Sequence, residues 1–463
     1  MMRRVVAGGT VVTAGGSQRA DVVIADGRIV ALQAPESERG GDVLDATDCL
    51  VLPGGVDPHV HFDSPTQKVP VADDVTSGTV AAAFGGTTTV IDFAFQLGDM
   101  SVIDAIERAR ARSEGRAVVD YSLHAVLTRA DESTLATLED AVSRGVSSFK
   151  LYMAYERRGL LMRDDAIFKV MRRARDIGAL VMLHAENGPL TELLVEEAVA
   201  AGHVGPSWHP VTRPELTEIE AVYRGISIAE LADAPVYFVH ISTSGGVEHI
   251  AAARRRGRPV FGETCPHYLL LDDSVYAAAG FDAAKWVLTP PIRSKANQES
   301  LWTGLRNRDL QTVATDHCPF CFAGGKDAGK DDFSKIPNGG PGIEHRLTLL
   351  YDAAVASGCM SVERWVELVA TAPARLFGLA PRKGEIAIGS DADLVIFDPA
   401  GQTIVSAATQ HSKVDYSMYE GRKLKGAVRT VLSRGETIVR DGELVAAPGR
   451  GCFVVRGMSG TTF

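Results

Sequence analysis

Asp57-Pro58-His59-Val60-His61 places two imidazoles at i and i+2 at the end of an apolar run. On an extended chain such residues project to the same side, so both rings can converge on one cation. Taken alone, His-x-His is equally compatible with ordinary polar residues at a strand end. Three more residues of metal-ligand type follow apolar runs in the same way: His184 in LHAEN, His240 in VHIST and Asp316 in ATDHC. Imidazole nitrogen and carboxylate oxygen together suit zinc, manganese or cobalt. Ligand types recurring at equivalent points of separate runs point to a metal site.

Lys150, in SSFKLYMAY, has the same placement and the wrong charge. A lysine amine titrates near ~10.4, and burial without an anion pushes it toward neutrality. A protonated ammonium would be repelled by metal cations. The ordinary reading is a salt bridge to a distant carboxylate, or a side chain reaching out to solvent. The sharper reading is covalent: the neutral amine captures carbon dioxide as a carbamate, which reverses its charge and offers two oxygens to bridge two ions.

The elements that would position these groups can be read from the same runs. Apolar, β-branched stretches at 50–61, 87–95, 117–127, 146–154, 179–187, 235–242, 259–268 and 310–318 alternate with longer segments of helical spacing. Near-continuous apolar runs suit strands buried on both faces of a parallel sheet. SVIDAIERARARSEG and DDAIFKVMRRARDIG carry apolar residues at three- and four-residue spacing and close on glycine, as helices do. Repeated strand–helix units of this total length predict a (β/α)₈ TIM-like barrel over 53–377. Each run ends on a polar residue: His59 and His61, Asp92, His124, Lys150, His184, His240, His267 and Asp316. In a barrel these ends form the mouth where active sites are built. Residues 1–52 and 378–463 read instead as short alternating strands with Gly and Asp turns. They predict a second, smaller β-sandwich domain made from both termini, with an irregular tail after 446.

Composition narrows the function classes. The 463 residues carry 48 Lys and Arg against 58 Asp and Glu, a net charge of −10, with 45% hydrophobic residues. Such a chain is globular and poorly suited to gripping a phosphate backbone, so no nucleic-acid partner is expected. Arg254-Arg255-Arg256-Gly257-Arg258 reads as a solvated helix end. No apolar stretch is long enough to span a bilayer, so no membrane association is expected. The N-terminus lacks the apolar core of a signal peptide. Six scattered cysteines predict a reducing, cytoplasmic setting rather than a disulfide framework, and Cys318-Pro-Phe-Cys321 reads as structural. His209 and His411 have no partner pattern; His124, His267 and His317 are placed for hydrogen bonding behind a site. Gly85-Gly86 and Gly245-Gly246 read as turns bordering strands.

Along nearly its whole length the chain resembles the dihydropyrimidinase/D-hydantoinase family of cyclic amidohydrolases. The matching stretches include DPHVHF, AAAFGGTTTVIDF, SSFKLYMAY, LHAEN, VHISTSGG, GETCPHYLLLDD, TPPIRSK, ATDHCPF, NGGPGIEHR and RKGEIAIGSDADLVIFDP. The resemblance implies two divalent metal ions, usually zinc. His59, His61 and Asp316 would hold one ion, His184 and His240 the other, and N6-carboxylated Lys150 would bridge them. It implies hydrolysis of the cyclic amide bond of 5,6-dihydropyrimidines or hydantoins to N-carbamoyl amino acids by a metal-bridging hydroxide. Asp316 would shuttle the proton and Tyr155 would stabilise the oxyanion. Backbone groups at Thr289, where the family commonly has serine, and Asn338 would read the substrate ring. Loops 62–71 and 152–163 would meet its substituent, with Tyr152, Met153, Leu160, Leu161 and Met162 as an apolar gate. A homotetramer, or a homodimer, is also implied.

Related ring-openers offer an alternative. Dihydroorotase- and allantoinase-like enzymes follow His-x-His with an Arg-Glu-Pro-like segment, whereas Phe62, Asp63, Ser64 and Pro65 stand here. No arginine is present to take a substrate carboxylate unless a remote one such as Arg293 does so, which favours an uncharged cyclic ureide or imide. An allantoinase- or imidase-like activity is the nearer alternative. A non-catalytic scaffold of the same fold is the farther one, opposed by the filling of all six ligand positions.

Overall fold

A computed structural model describes residues 3–35, 41–65 and 69–460. Thr66, Gln67 and Lys68 of the loop expected to meet a substituent lie outside the described residues. Each of the eight apolar runs contributes one strand to the barrel: β1 (Gly55–Asp57), β2 (Thr87–Phe95), β3 (Asp120–Val126), β4 (Ser148–Tyr152), β5 (Leu180–His184), β6 (Val236–Phe238), β7 (Val260–Thr264) and β8 (Thr312–Val313). They pair in parallel in chain order. The residues that continue β1 and β8 bring the two ends together. Val60 bridges His317, the His61 N–H donates to the His317 carbonyl at 2.8 Å, and the Thr315 hydroxyl donates to Asp57 at 2.6 Å. Deeper in the barrel, the buried Arg346 guanidinium donates to the carbonyls of Val56 and Val313, both at 3.0 Å, and so ties the same two strands. The fold is a (β/α)₈ barrel.

Strand alternation explains why the runs are apolar throughout. Phe93, Val126, Met182, Tyr237 and Phe261 fill the barrel interior, while Phe149, Leu151, Val181, Leu183 and Phe238 pack outward against the helices. The two segments with helical spacing form the helices Val102–Ser113 and Asp164–Asp176. Ser101 accepts from the Asp104 N–H and so caps the first of them.

Both termini build a separate domain of two mixed sheets, one of four strands and one of seven. Val6, Val22 and Ile24 of one sheet share a core with Val51, Leu394, Ile396 and Leu432 of the other. The run at 50–61 proves to be two strands. Leu50–Pro53 pairs antiparallel with Leu394–Ile404 in the terminal domain, and β1 opens the barrel after Gly54. An uninterrupted apolar run shows no break when both halves are buried. Gly245 and Gly246 lie in the first turn of the helix Ser244–Arg255, not in a strand-bordering turn, where they let it approach Ile219 and Glu218.

The tail past 446 carries no helix or ladder strand among the described residues, yet it is not loose. Tyr121 and Phe453 form a parallel bridge, and Arg456 is buried against β3 and β4. Its guanidinium donates to the hydroxyls of Ser122 and Ser148, both at 2.9 Å, and to the carbonyls of Leu123 and Phe377. Arg456→Ala would leave several of these acceptors unpaired, so unfolding in urea should be easier by roughly 2–4 kcal/mol. A change below about 0.5 kcal/mol, the size of an ordinary surface substitution, would contradict this account of the tail.

Candidate metal centre and active site

The mouth of the barrel gathers side chains from five separated segments. Lys150 and Tyr152 share a face of β4, and Tyr152 is in register with His184 at the end of β5. His240 and Asp316 lie just past β6 and β8, with φ of 40° and 47°. A non-glycine residue at positive φ is uncommon, and such strain concentrates where a side chain must be aimed. His59, His61 and Asp316 offer ligand atoms all within 4.8 Å of one another. Both imidazole Nε2 atoms lie 3.2 Å from Asp316 Oδ1.

Hydrogen bonds behind these residues fix which nitrogen faces inward. His59 Nδ1 is 2.5 Å from Glu263 Oε1, so its proton belongs there and the Nε2 lone pair points at Asp316. Glu263 is itself held by the Tyr237 hydroxyl at 2.6 Å and the His240 N–H at 3.1 Å. His184 Nε2 meets Glu186 Oε2 at 2.9 Å, which leaves Nδ1 facing His240 Nε2 at 2.9 Å. Burial lowers the pKa of His61 to about 4, against a smaller upward pull from Asp316, and burial also lowers His184 and His240. These imidazoles are therefore neutral, with lone pairs to give. Burial raises the Asp316 carboxyl, and positive charge on the side of His59 and His61 pulls it well below the usual carboxylate range; neutral imidazoles do not supply that charge, whereas a cation held between them would. Lone pairs and an anion facing each other at this distance want a cation between them.

Lys150 lines the same cavity as these imidazoles and Asp316. It is fully buried, and its Nζ has no hydrogen-bond partner. Burial drives its pKa down to about 7 although Glu263 and Asp316 pull it upward, so a neutral amine is accessible near neutral pH. A partnerless buried amine beside an ionised carboxylate and neutral imidazoles fits a group that acquires a bridging function.

That cavity is small and opens to solvent. Every residue expected to hold metal lines it, with Tyr155, Thr289 and Asn338. Tyr155 has φ of 68°, its ring centroid is 5.0 Å from that of His184, and burial raises its pKa, so the phenol keeps its proton. Of the expected gate, Tyr152 and Leu160 line the cavity. Met153 and Met162 are instead buried in the core between barrel and helices, and Leu161 bridges Tyr152 without lining it. Apolar character alone does not separate a gate from a core face.

Sequence reading missed several residues. Glu263 and Glu186, which orient His59 and His184, stand in GETCPHY and LHAEN, and a carboxylate within a buried run was the available signal. Phe95, Cys318 and Arg158 also line the cavity. Arg158 brings a guanidinium 4.9 Å over the Tyr155 ring from a loop remote from His61, so the absence of an arginine after His-x-His does not leave the cavity without a cation. Arg293 does not line it: it is buried against Ser242, Glu218 and the Arg213 carbonyl. His124 bonds Ser148 and the Pro58 carbonyl, and His317 bonds Asp73. His267 Nε2 is buried without a hydrogen-bond partner. His209 bonds the Leu288 carbonyl, and His411 stacks on Phe84.

Comparison with known proteins agrees with this geometry. Residues 50–438 match the amidohydrolase family. The D-hydantoinase of Streptomyces coelicolor is 45% identical over 460 residues, covering 98% of each chain. The crystal structure of a dihydropyrimidinase from Brevibacillus agri superposes with a TM-score of 0.97 at 44% identity, covering 99% of each chain. An L-hydantoinase from Arthrobacter aurescens superposes at 0.89 with 29% identity, covering 98% of this chain and all of that one.

If Glu263 sets the His59 tautomer, Glu263→Gln should weaken metal binding by roughly 10- to 100-fold. Chelator competition followed by elemental analysis would measure it; unchanged affinity would show that the carboxylate has only a packing role.

Proposed function

The chain belongs to the amidohydrolase family, among the dihydropyrimidinases and hydantoinases, and from that premise we propose that it opens hydantoins or 5,6-dihydropyrimidines to N-carbamoyl amino acids. That it is a cyclic amidohydrolase follows from the family; the ring, the residues and their roles are our reading. The observation that carries it is the partnerless Lys150 amine in one cavity with His59, His61, His184, His240 and Asp316.

In this reading Lys150 adds to carbon dioxide: a C–N bond forms, an N–H proton is lost, and an anion with two oxygens replaces the amine. His59, His61 and Asp316 would hold one divalent ion and His184 and His240 a second, with the Lys150 carbamate as a further anionic ligand. Zinc suits this donor set, as manganese and cobalt also do. Two such ions supply a nucleophile at neutral pH, since bound water falls from a pKa of ~15.7 to about 7.

The chain's own groups do the rest. Asp316, kept ionised, accepts the proton of the attacking water at a carboxylate oxygen and returns it to the ring nitrogen as the C–N bond breaks. Tyr155, kept protonated, donates its phenolic O–H to the oxyanion that develops on the carbonyl oxygen. The backbone at Thr289 and Asn338 orients the ring. Phe95, Tyr152 and Leu160 give the exocyclic substituent an apolar wall.

Turnover of hydantoin, dihydrouracil and both enantiomers of alkyl- and aryl-hydantoins tests the reading directly. N-carbamoyl product from at least one ring is expected, and none from any would refute it. Tyr155→Phe should keep the metal content and lower kcat by roughly 10²–10³-fold. An unchanged kcat would remove Tyr155 from the oxyanion role.

A further inference from the structure

Thr289 and Asn338 belong to two loops remote in sequence, and the proposed ring contact requires their backbones to keep a fixed separation. The structure shows what joins them. Lys326 is fully buried, and its ammonium donates to the carbonyls of Val287 at 2.7 Å, Pro337 at 2.8 Å and Gly339 at 2.7 Å. Burial pulls the Lys326 pKa down to about 7, but unlike the partnerless Lys150 its three N–H donors face three carbonyl acceptors, which favour the charged form and saturate it without a carboxylate. Pro337 and Gly339 flank Asn338 on both sides, and Val287 precedes Thr289 by two residues. The Gly339 N–H also donates to the Val287 carbonyl at 3.1 Å.

The local sequence is shaped to allow this. The Lys326 N–H closes a turn onto the Cys321 carbonyl at 2.8 Å. A Cβ at Gly325 would lie 2.1 Å from that same carbonyl oxygen, so only glycine lets the chain turn Lys326 inward. Gly339 has φ of 143°, and a Cβ there would come within 2.3 Å of the Cys318 carbonyl oxygen.

We infer that Lys326 is a positioning residue, whose ammonium clamps the Val287–Thr289 and Pro337–Gly339 backbones at the spacing needed to grip a cyclic amide ring. The inference rests on the proposed function for the identity of the ring, but the clamp itself is a property of the fold. Charge-assisted bonds to carbonyls are stronger than neutral ones, and an isosteric apolar chain would leave the buried Pro337 and Gly339 carbonyls unpaired and the Val287 carbonyl with only the Gly339 N–H. The loops would then separate to find water, while the metal ligands, held by β1, β4, β5, β6 and β8, would stay in place.

Lys326→Met and Lys326→Ala would be compared with the wild type on hydantoin and dihydrouracil, with metal content measured in parallel. The expected result is a KM raised at least tenfold, a smaller change in kcat, and metal content like that of the wild type. Propylammonium added to Lys326→Ala should restore kcat/KM several-fold and saturably, whereas sodium should not. Amide hydrogen exchange should rise at 287–290 and 336–340 while β4 and β5 keep their protection. An unchanged KM, no rescue, or exchange raised throughout the barrel would overturn the clamp. So would variants that fail to fold with or without propylammonium, because Lys326 would then serve the fold and not the site. A wild type inactive on every ring would refute the proposed function instead, and the exchange measurement would still decide the clamp.

Discussion

A lysine amine enclosed in a barrel without a hydrogen-bond partner is a costly arrangement, and the rest of the site is organised around it. Transfer of an unpaired polar group from water is unfavourable, and of an unpaired charge far more so. Lys150 Nζ has no hydrogen-bond partner, although the carboxylates of Glu263 and Asp316 both pull its pKa upward. In the proposed reading an ammonium there would oppose cations and a carbamate would add an anion, so the cost of burying the amine and the capacity to hold two ions would be one feature of β4.

Convergence on that point is a property of the barrel and not of any one segment. Strand alternation puts Lys150 and Tyr152 on the interior face and sends Phe149 and Leu151 to the helices. Closure between the continuations of β1 and β8 brings His59 and His61 to Asp316. Strained backbone at Tyr155, His240 and Asp316 completes the aim at a cost of order 1–3 kcal/mol for each residue. Arg346 and Arg456, buried beneath the site, help to hold the strands that tolerate this strain.

What could be read in advance depended on whether a residue's role is written in its own type. The eight runs were legible because parallel strands buried on both faces are apolar throughout. That His59, His61, His184, His240 and Asp316 would face one cavity was legible because strand ends of a parallel barrel meet at its mouth, although His124 and His267, also at run ends, do not line it. Glu263 and Glu186 were less so, since nothing in a single sequence says which histidine a carboxylate will meet across the barrel. Met153 and Met162 were misplaced because a gate and a core face share one composition. Lys326 was invisible: its partners are backbone carbonyls, and every residue has one. The split of 50–61 into two strands was hidden by burial on both sides of Gly54.

Anomalous diffraction from crystals of the protein purified with bicarbonate and zinc, recorded on both sides of the zinc edge, tests the central claim most directly. The account predicts two anomalous peaks, one by His59, His61 and Asp316 and one by His184 and His240. Continuous planar density should run from Lys150 Nζ between them. A single peak, peaks elsewhere, or density ending at a bare Nζ would contradict it.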